Sequence, residues 1–333
     1  MNYKLLFTSL LTIFFTQLTF SQTQNKEVPL AIDATLKTRY EWATETSTSR
    51  FSVRNSRLGL SGKITSQLSY RAQMELSSNG KFEVLDLYAS FALPSGFDFS
   101  FGQVSIPLFN ASQITPSQMV FANRSFVGKF NTGSRDIGLL TTYKRDMASV
   151  PVMMQLGIFN GTTINNPKWT GCLSYNGRVM IGGDMGLRAS AKFTRFPLSD
   201  ESDYMIYGAD IRFANRLLKL EAEAMNRYNY YNEINRFTAY LETSLKFPLK
   251  GEKVIKAIIP ALRWDGIGEN MKNQGFDVNR LTAGISFALT EAPFNSLLRI
   301  NAEKYFIERE VSDFSLYDEL DSDKITLELL IVF

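Results

Sequence analysis

Asp323-Lys-Ile-Thr-Leu-Glu-Leu-Leu-Ile-Val-Phe333 closes the chain, and its spacing decides the fold. Ile325, Leu327, Leu329, Ile331 and Phe333 take alternate positions and all are apolar, with Thr326, Glu328, Leu330 and Val332 between them. A period of two means an extended strand with one apolar face. Such a strand either faces a dry core in a soluble sheet or faces lipid as the closing strand of an outer-membrane barrel.

The same alternation recurs upstream. Leu298, Ile300 and Ala302 oppose Arg299, Asn301 and Glu303; Leu218, Leu220, Ala222 and Ala224 oppose Lys219, Glu221 and Glu223; Leu187, Ala189, Ala191 and Phe193 oppose Arg188, Ser190 and Lys192. Towards the start, Leu30, Ile32, Ala34, Leu36, Tyr40 and Trp42 alternate with Asp33, Lys37, Arg39 and Glu41. Arg50–Gly62 changes phase near Arg54–Arg57, which predicts a bulge. Lys253–Asp265 reads as a strand despite Pro260. The total is roughly 16 strands, an even number, as a closed bacterial barrel requires. The connections sort by parity: one set is mostly long and the other short, the pattern of long extracellular loops and tight periplasmic turns. The expected fold is an all-β, transmembrane, antiparallel β-barrel. Aromatics near strand ends, among them Trp42, Phe193, Phe196, Phe213, Phe247, Tyr305 and Phe306, fit interface girdles.

Composition narrows the chemistry. The chain has 333 residues and a net charge of only +3, which gives no reason to expect nucleic acid as a partner. It contains no histidine and one cysteine, Cys172, so imidazole-dependent hydrolysis and thiolate zinc sites are excluded and no metal or cofactor is expected. The protein is not expected to be an enzyme. No apolar run after the N-terminus reaches the ~18 residues of a spanning helix, so a membrane would be crossed by strands. Met1–Ser21 reads as a cleaved secretory signal peptide, with Lys4 ahead of an apolar run and small Thr19 and Ser21 before the cut. Residues 22–333 form the barrel.

If the apolar face meets lipid, the charged face lines a wet interior. Arg39, Arg71, Arg188, Lys192, Arg212, Arg263 and Arg299 are its expected pore-wall cations, and acids such as Asp33, Glu41, Asp210, Glu223 and Glu303 nearly balance them. The long connection 107–134 carries Phe109, Met119, Phe121, Phe126 and Phe130, too apolar to stand free in water. Folded inward it would act as a constriction loop and present Arg124, Lys129 and Arg135 to the lumen, with Arg227 further out near the rim.

The run Arg50-Phe-Ser-Val-Arg-Asn-Ser-Arg-Leu-Gly-Leu-Ser-Gly62, then Leu87-Tyr-Ala-Ser-Phe-Ala-Leu93, Phe101-Gly-Gln-Val-Ser-Ile-Pro-Leu-Phe109 and Arg135-Asp-Ile-Gly138, together with the terminal Phe333, resembles the phosphate-selective porin O and P family. The resemblance is densest over residues 50–160. It implies a homotrimeric, 16-stranded bacterial outer-membrane porin with an inward-folded third loop. It also implies that Leu329, Ile331 and Phe333 form the signal read by the barrel assembly machinery as the protein enters outer-membrane lipid. The expected function is passive diffusion of small hydrophilic and anionic solutes, phosphate-like anions among them. The alternatives are a plugged barrel with a structural or adhesive role and a barrel enzyme.

Overall fold

The computed structural model describes residues 29–76, 80–197, 203–251, 254–271, 275–292, 294–311 and 323–333. The expected signal peptide lies outside these residues. The backbone closes into a single antiparallel sheet of 18 hydrogen-bonded segments. Two staves are each interrupted once, so the barrel has 16: β1 (Ala31–Ala43), β2 (Thr48–Val53 and Ser56–Lys63), β3 (Leu68–Leu76), β4 (Phe82–Ala92), β5 (Phe97–Ser105), β6 (Arg135–Met147), β7 (Val150–Phe159), β8 (Ser174–Ile181), β9 (Gly186–Pro197), β10 (Asp203–Ala214), β11 (Leu218–Asn229), β12 (Asn235–Leu245 and Phe247–Pro248), β13 (Ala257–Glu269), β14 (Val278–Ala288), β15 (Leu297–Ile307) and β16 (Lys324–Val332).

The closing strand shows why the sequence folds this way. β16 pairs with β15 on one side and β1 on the other, with Glu328 opposite Arg39 and Leu329 opposite Thr38. Ile325, Leu327 and Leu329 are exposed outward, while Thr326 and Glu328 are fully buried inward. The usual order of a soluble protein is thus reversed, with apolar residues outside and charge inside. Only a lipid solvent makes that arrangement favourable, and closure leaves no unpaired strand edge in it.

The long connections 106–134 and 160–173 lie at one end of the barrel, where β15 also ends and β16 begins, and the strands at the other end are separated by at most eight residues, as at 249–256 and 289–296. Several links at the long-loop end, such as 44–47, are also tight. The strand through Pro260 is present, and it starts four residues later than its sequence pattern suggests.

Two local departures position the site. At Arg54–Asn55 the β2 ladder breaks, and Asn55 adopts a left-handed φ of 54°, which its short polar side chain tolerates. Strict alternation would send residues 54 and 57 to opposite faces; the break puts both Arg54 and Arg57 inside, buried. The second departure is a patch of inward-facing apolar residues: Phe159, Phe196, Ile206, Met225, Ile267 and Val278. These pack on Leu108, Phe109, Val127, Phe126 and Phe130 of the 106–134 connection, which therefore lies inside the barrel. Phe196 and Tyr305 belong to this interior packing, at 2% and 7% exposure, and not to an interface girdle. Trp42, Phe193, Phe213, Phe247 and Phe306 do face outward.

Candidate functional site

The inner wall is laced with ion pairs. Arg39 Nε lies 2.6 Å from Glu328, and Arg299 reaches the same carboxylate at 2.8 Å. Lys192 bridges Asp210, at 3.0 Å, and Glu223. Arg71 pairs with Asp33 at 2.9 Å and Asp86 at 3.4 Å. Arg212 donates to the Asp184 carbonyl at 2.9 Å, on the short turn after β8, at the mouth opposite the long loops. Arg188 faces inward and is buried. The near balance of wall charge in the sequence therefore has a structural form, since most of these cations already have their anions.

Several wall cations do a second job. The connection 106–134 contains two short helices, α1 (Ala111–Ile114) and α2 (Phe126–Phe130), and its intervening carbonyls have few partners within the loop. Guanidinium groups from the wall supply them. Arg299 Nη2 donates to Met119 O at 2.5 Å, Arg263 Nη1 to Asn123 O at 3.1 Å and Arg280 Nη2 to Arg124 O at 2.7 Å. Arg236 donates to Phe130 O at 3.2 Å and Arg227 to Asn131 O at 2.9 Å. Arginine suits this role because its planar fork can hold a carboxylate and a carbonyl at once. Arg263 and Arg299, expected as pore-wall cations, are instead covered by the loop and do not border the cavity that remains beside it.

A cavity of about 610 Å³ remains between the loop and the wall. Arg124, Lys129 and Arg135, the three expected loop cations, all line it. So do Lys37, Arg39, Arg54, Arg57, Arg227 and Arg236, against only two lining acids, Glu75 and Glu83. Arg227 is thus part of this cavity and not a remote rim residue. Part of the surplus is neutralised: the lining Glu75 pairs with Arg57 at 2.5 Å, and two acids behind the surface, Asp86 and Glu41, pair with Arg135 at 2.7 Å and Arg54 at 3.7 Å. The Arg124 guanidinium makes no hydrogen bond or salt bridge among the described residues. Burial, and then the nearby charge of Arg57, push its pKa down to about 10, so it stays charged at neutral pH. Partly desolvated walls focus such a field, and a cationic constriction raises the local anion concentration.

Strand periodicity alone does not single out Arg54, Arg57 and Arg236 as members of this site. The phase change near residues 54–57 is the available signal for the first two: a strand that breaks step between two arginines can place both on one face. Nothing in the local pattern distinguishes Arg236 from other inward arginines. Leu329, Ile331 and Phe333 lie on the outer surface or at the strand end, with Phe333 N–H donating to Ala34 O at 3.0 Å.

Residues 36–179 match the family model described as phosphate-selective porin O and P. No curated protein matches at the sequence level. Among solved structures, the chain is similar to OmpF of Salmonella typhi in complex with daunomycin, at 12% identity and a TM-score of 0.65, covering 93% of this chain and 99% of that one. An anion-selective porin from Comamonas acidovorans matches at 13% identity and a TM-score of 0.60, over 92% and 100% of the two chains. In vitro folded OmpT of Vibrio cholerae, in trimer form, matches at 9% and 0.59, over 92% and 100%. At these identities the structural likeness establishes the fold, a porin-type barrel.

Proposed function

We propose that this chain, an outer-membrane porin that matches the phosphate-selective O and P family over residues 36–179, is a diffusion channel whose anion preference is set where the 106–134 loop meets the wall. The observation that carries the reading is the make-up of the remaining cavity, with nine cationic side chains and two acidic ones around about 610 Å³. Small hydrophilic anions, phosphate-like ones included, would be drawn in by this surplus and cross without covalent chemistry. The family and fold point to a channel and not to an enzyme. The 106–134 loop acts as the constriction. Met1–Ser21 serves as the export signal, and Leu329, Ile331 and Phe333 as the signal for barrel assembly in outer-membrane lipid. The trimeric state of the Vibrio cholerae relative supports a homotrimer here.

A plugged barrel is the second reading, favoured by how closely the loop is held: Leu108, Ala122, Phe126 and Val127 are completely buried against the wall. Planar-bilayer recording separates the two. An open channel gives discrete conductance steps and a zero-current potential of anionic sign in a KCl gradient, and a plugged barrel gives neither.

A further inference from the structure

Residues 122–126 are gripped on both sides of a single charged side chain. Ala122 N–H donates to Asn301 Oδ1 at 2.8 Å, and Lys37 donates to Ala122 O at 3.2 Å. Asn123 is held through its side chain and its carbonyl: Arg39 donates to Oδ1 at 2.8 Å, Nδ2 donates to Glu303 at 2.8 Å, and Arg263 donates to the carbonyl. Beyond Arg124, the Phe126 N–H donates to Asp265 Oδ1 at 2.8 Å. Arg280 completes the grip on the Arg124 carbonyl, and its own charge is already neutralised. It is fully buried, 2.7 Å from Asp265 and 3.4 Å from Glu303, with the Phe126 ring 4.6 Å from its guanidinium carbon. Arg280 therefore adds little field to the cavity and much order to the backbone. Among the described residues, Arg124 is the one polar side chain of this segment without a hydrogen-bonded or ion-paired partner, since Asn123 and Ser125 both have theirs.

We propose that Arg280 and Asn123 are positioning residues: by fixing the backbone on either side of Arg124 they aim its guanidinium into the cavity, and so determine the specificity of the channel. The proposal rests on the reading that ions pass this cavity. A charge on an ordered backbone acts on every passing ion from one place, whereas the same charge on a loose loop is averaged over many rotamers and lost partly to solvent.

The test uses zero-current potentials of the purified, bilayer-inserted protein in a KCl gradient. Arg124→Gln should lower the chloride-to-potassium permeability ratio about threefold, the screened effect of one charge roughly 6 Å from an ion in water. Arg280→Lys keeps a cation beside Asp265 but not the fork that also holds the carbonyl. It should lower the ratio about twofold alone and leave it unchanged in the Arg124→Gln background. Asn123→Ala, which removes no buried charge, should behave likewise and replaces Arg280→Lys if that variant does not insert. The positioning role is overturned if either variant keeps the wild-type ratio, or shifts it equally with Arg124 already removed. Arg57→Gln distinguishes the levels of failure. If it lowers the ratio while Arg124→Gln does not, the positioning role is overturned and the permeation reading stands. If neither lowers it, the permeation reading falls as well.

Discussion

Reversing the charge of Arg124 and Lys129 together is expected to turn the channel towards cations. Each Glu replaces one positive with one negative charge, so the pair changes the constriction by four unit charges. In water a unit charge roughly 7 Å from a passing ion contributes about 0.6 kcal/mol, and salt at ~0.15 M, with a Debye length of ~8 Å, cuts this to ~0.25 kcal/mol. Four units then disfavour an anion by about 1 kcal/mol and favour a cation by the same amount, a change of roughly thirtyfold in permeability ratio. Both side chains line the cavity and are only partly exposed, so water screening does not exceed the bulk value used here. The assay is the zero-current potential in a KCl gradient. Arg212→Glu is the control, because Arg212 sits on the short-turn mouth against Asp184. A shift from Arg212→Glu as large as that of the loop pair would refute the reasoning and place the selective point elsewhere.

Three further outcomes follow from the same geometry. Glu328→Gln removes one fully buried anion from Lys37, Arg39 and Arg299, and breaking such a pair costs about 3–5 kcal/mol; the heat-modifiable folded band should be lost at lower temperature, and an unchanged melting profile would show the cluster to be solvated. Deleting residues 117–128 should raise single-channel conductance and lower thermal stability, because the segment occupies part of the lumen and bonds Arg39, Arg263, Arg280 and Arg299; unchanged conductance would place ion flow away from the loop. Leu329→Asp puts a charge on the lipid-facing surface at a cost of up to roughly 2 kcal/mol, and with deletion of Phe333 it should reduce the membrane-inserted fraction; normal insertion of both would remove the C-terminal strand as an assembly signal.

The barrel was legible in the sequence because lipid on one side and charge on the other impose a strict period of two. Ile325–Leu329 states that rule without exception, and Leu218–Ala224 repeats it. What the sequence concealed lies where the rule is broken for a tertiary reason. Ile206, Met225, Ile267 and Val278 occupy inward positions that alternation reserves for polar groups, and only the loop packed against them explains their presence. Phe196 and Tyr305 pass for interface aromatics for the same cause: a ring near a strand end looks alike from either face. The loop cations Arg124 and Lys129, with Arg135 at the start of the strand that follows, are legible from loop length and apolarity. Arg263 and Arg299 pass for pore lining because periodicity gives the face of a side chain, and not what covers that face. Arg54 and Arg57 need the parity change at the β2 break to be followed to its consequence.

The central claim is that an open lumen with a cationic constriction selects small anions. Its most direct measurement is the zero-current potential of the purified wild-type protein in a planar bilayer under a KCl gradient. Stepwise conductance is expected, with a potential displaced towards the chloride equilibrium value that moves towards zero when Arg124 is neutralised. Absence of conductance, or a potential displaced towards potassium, would contradict it.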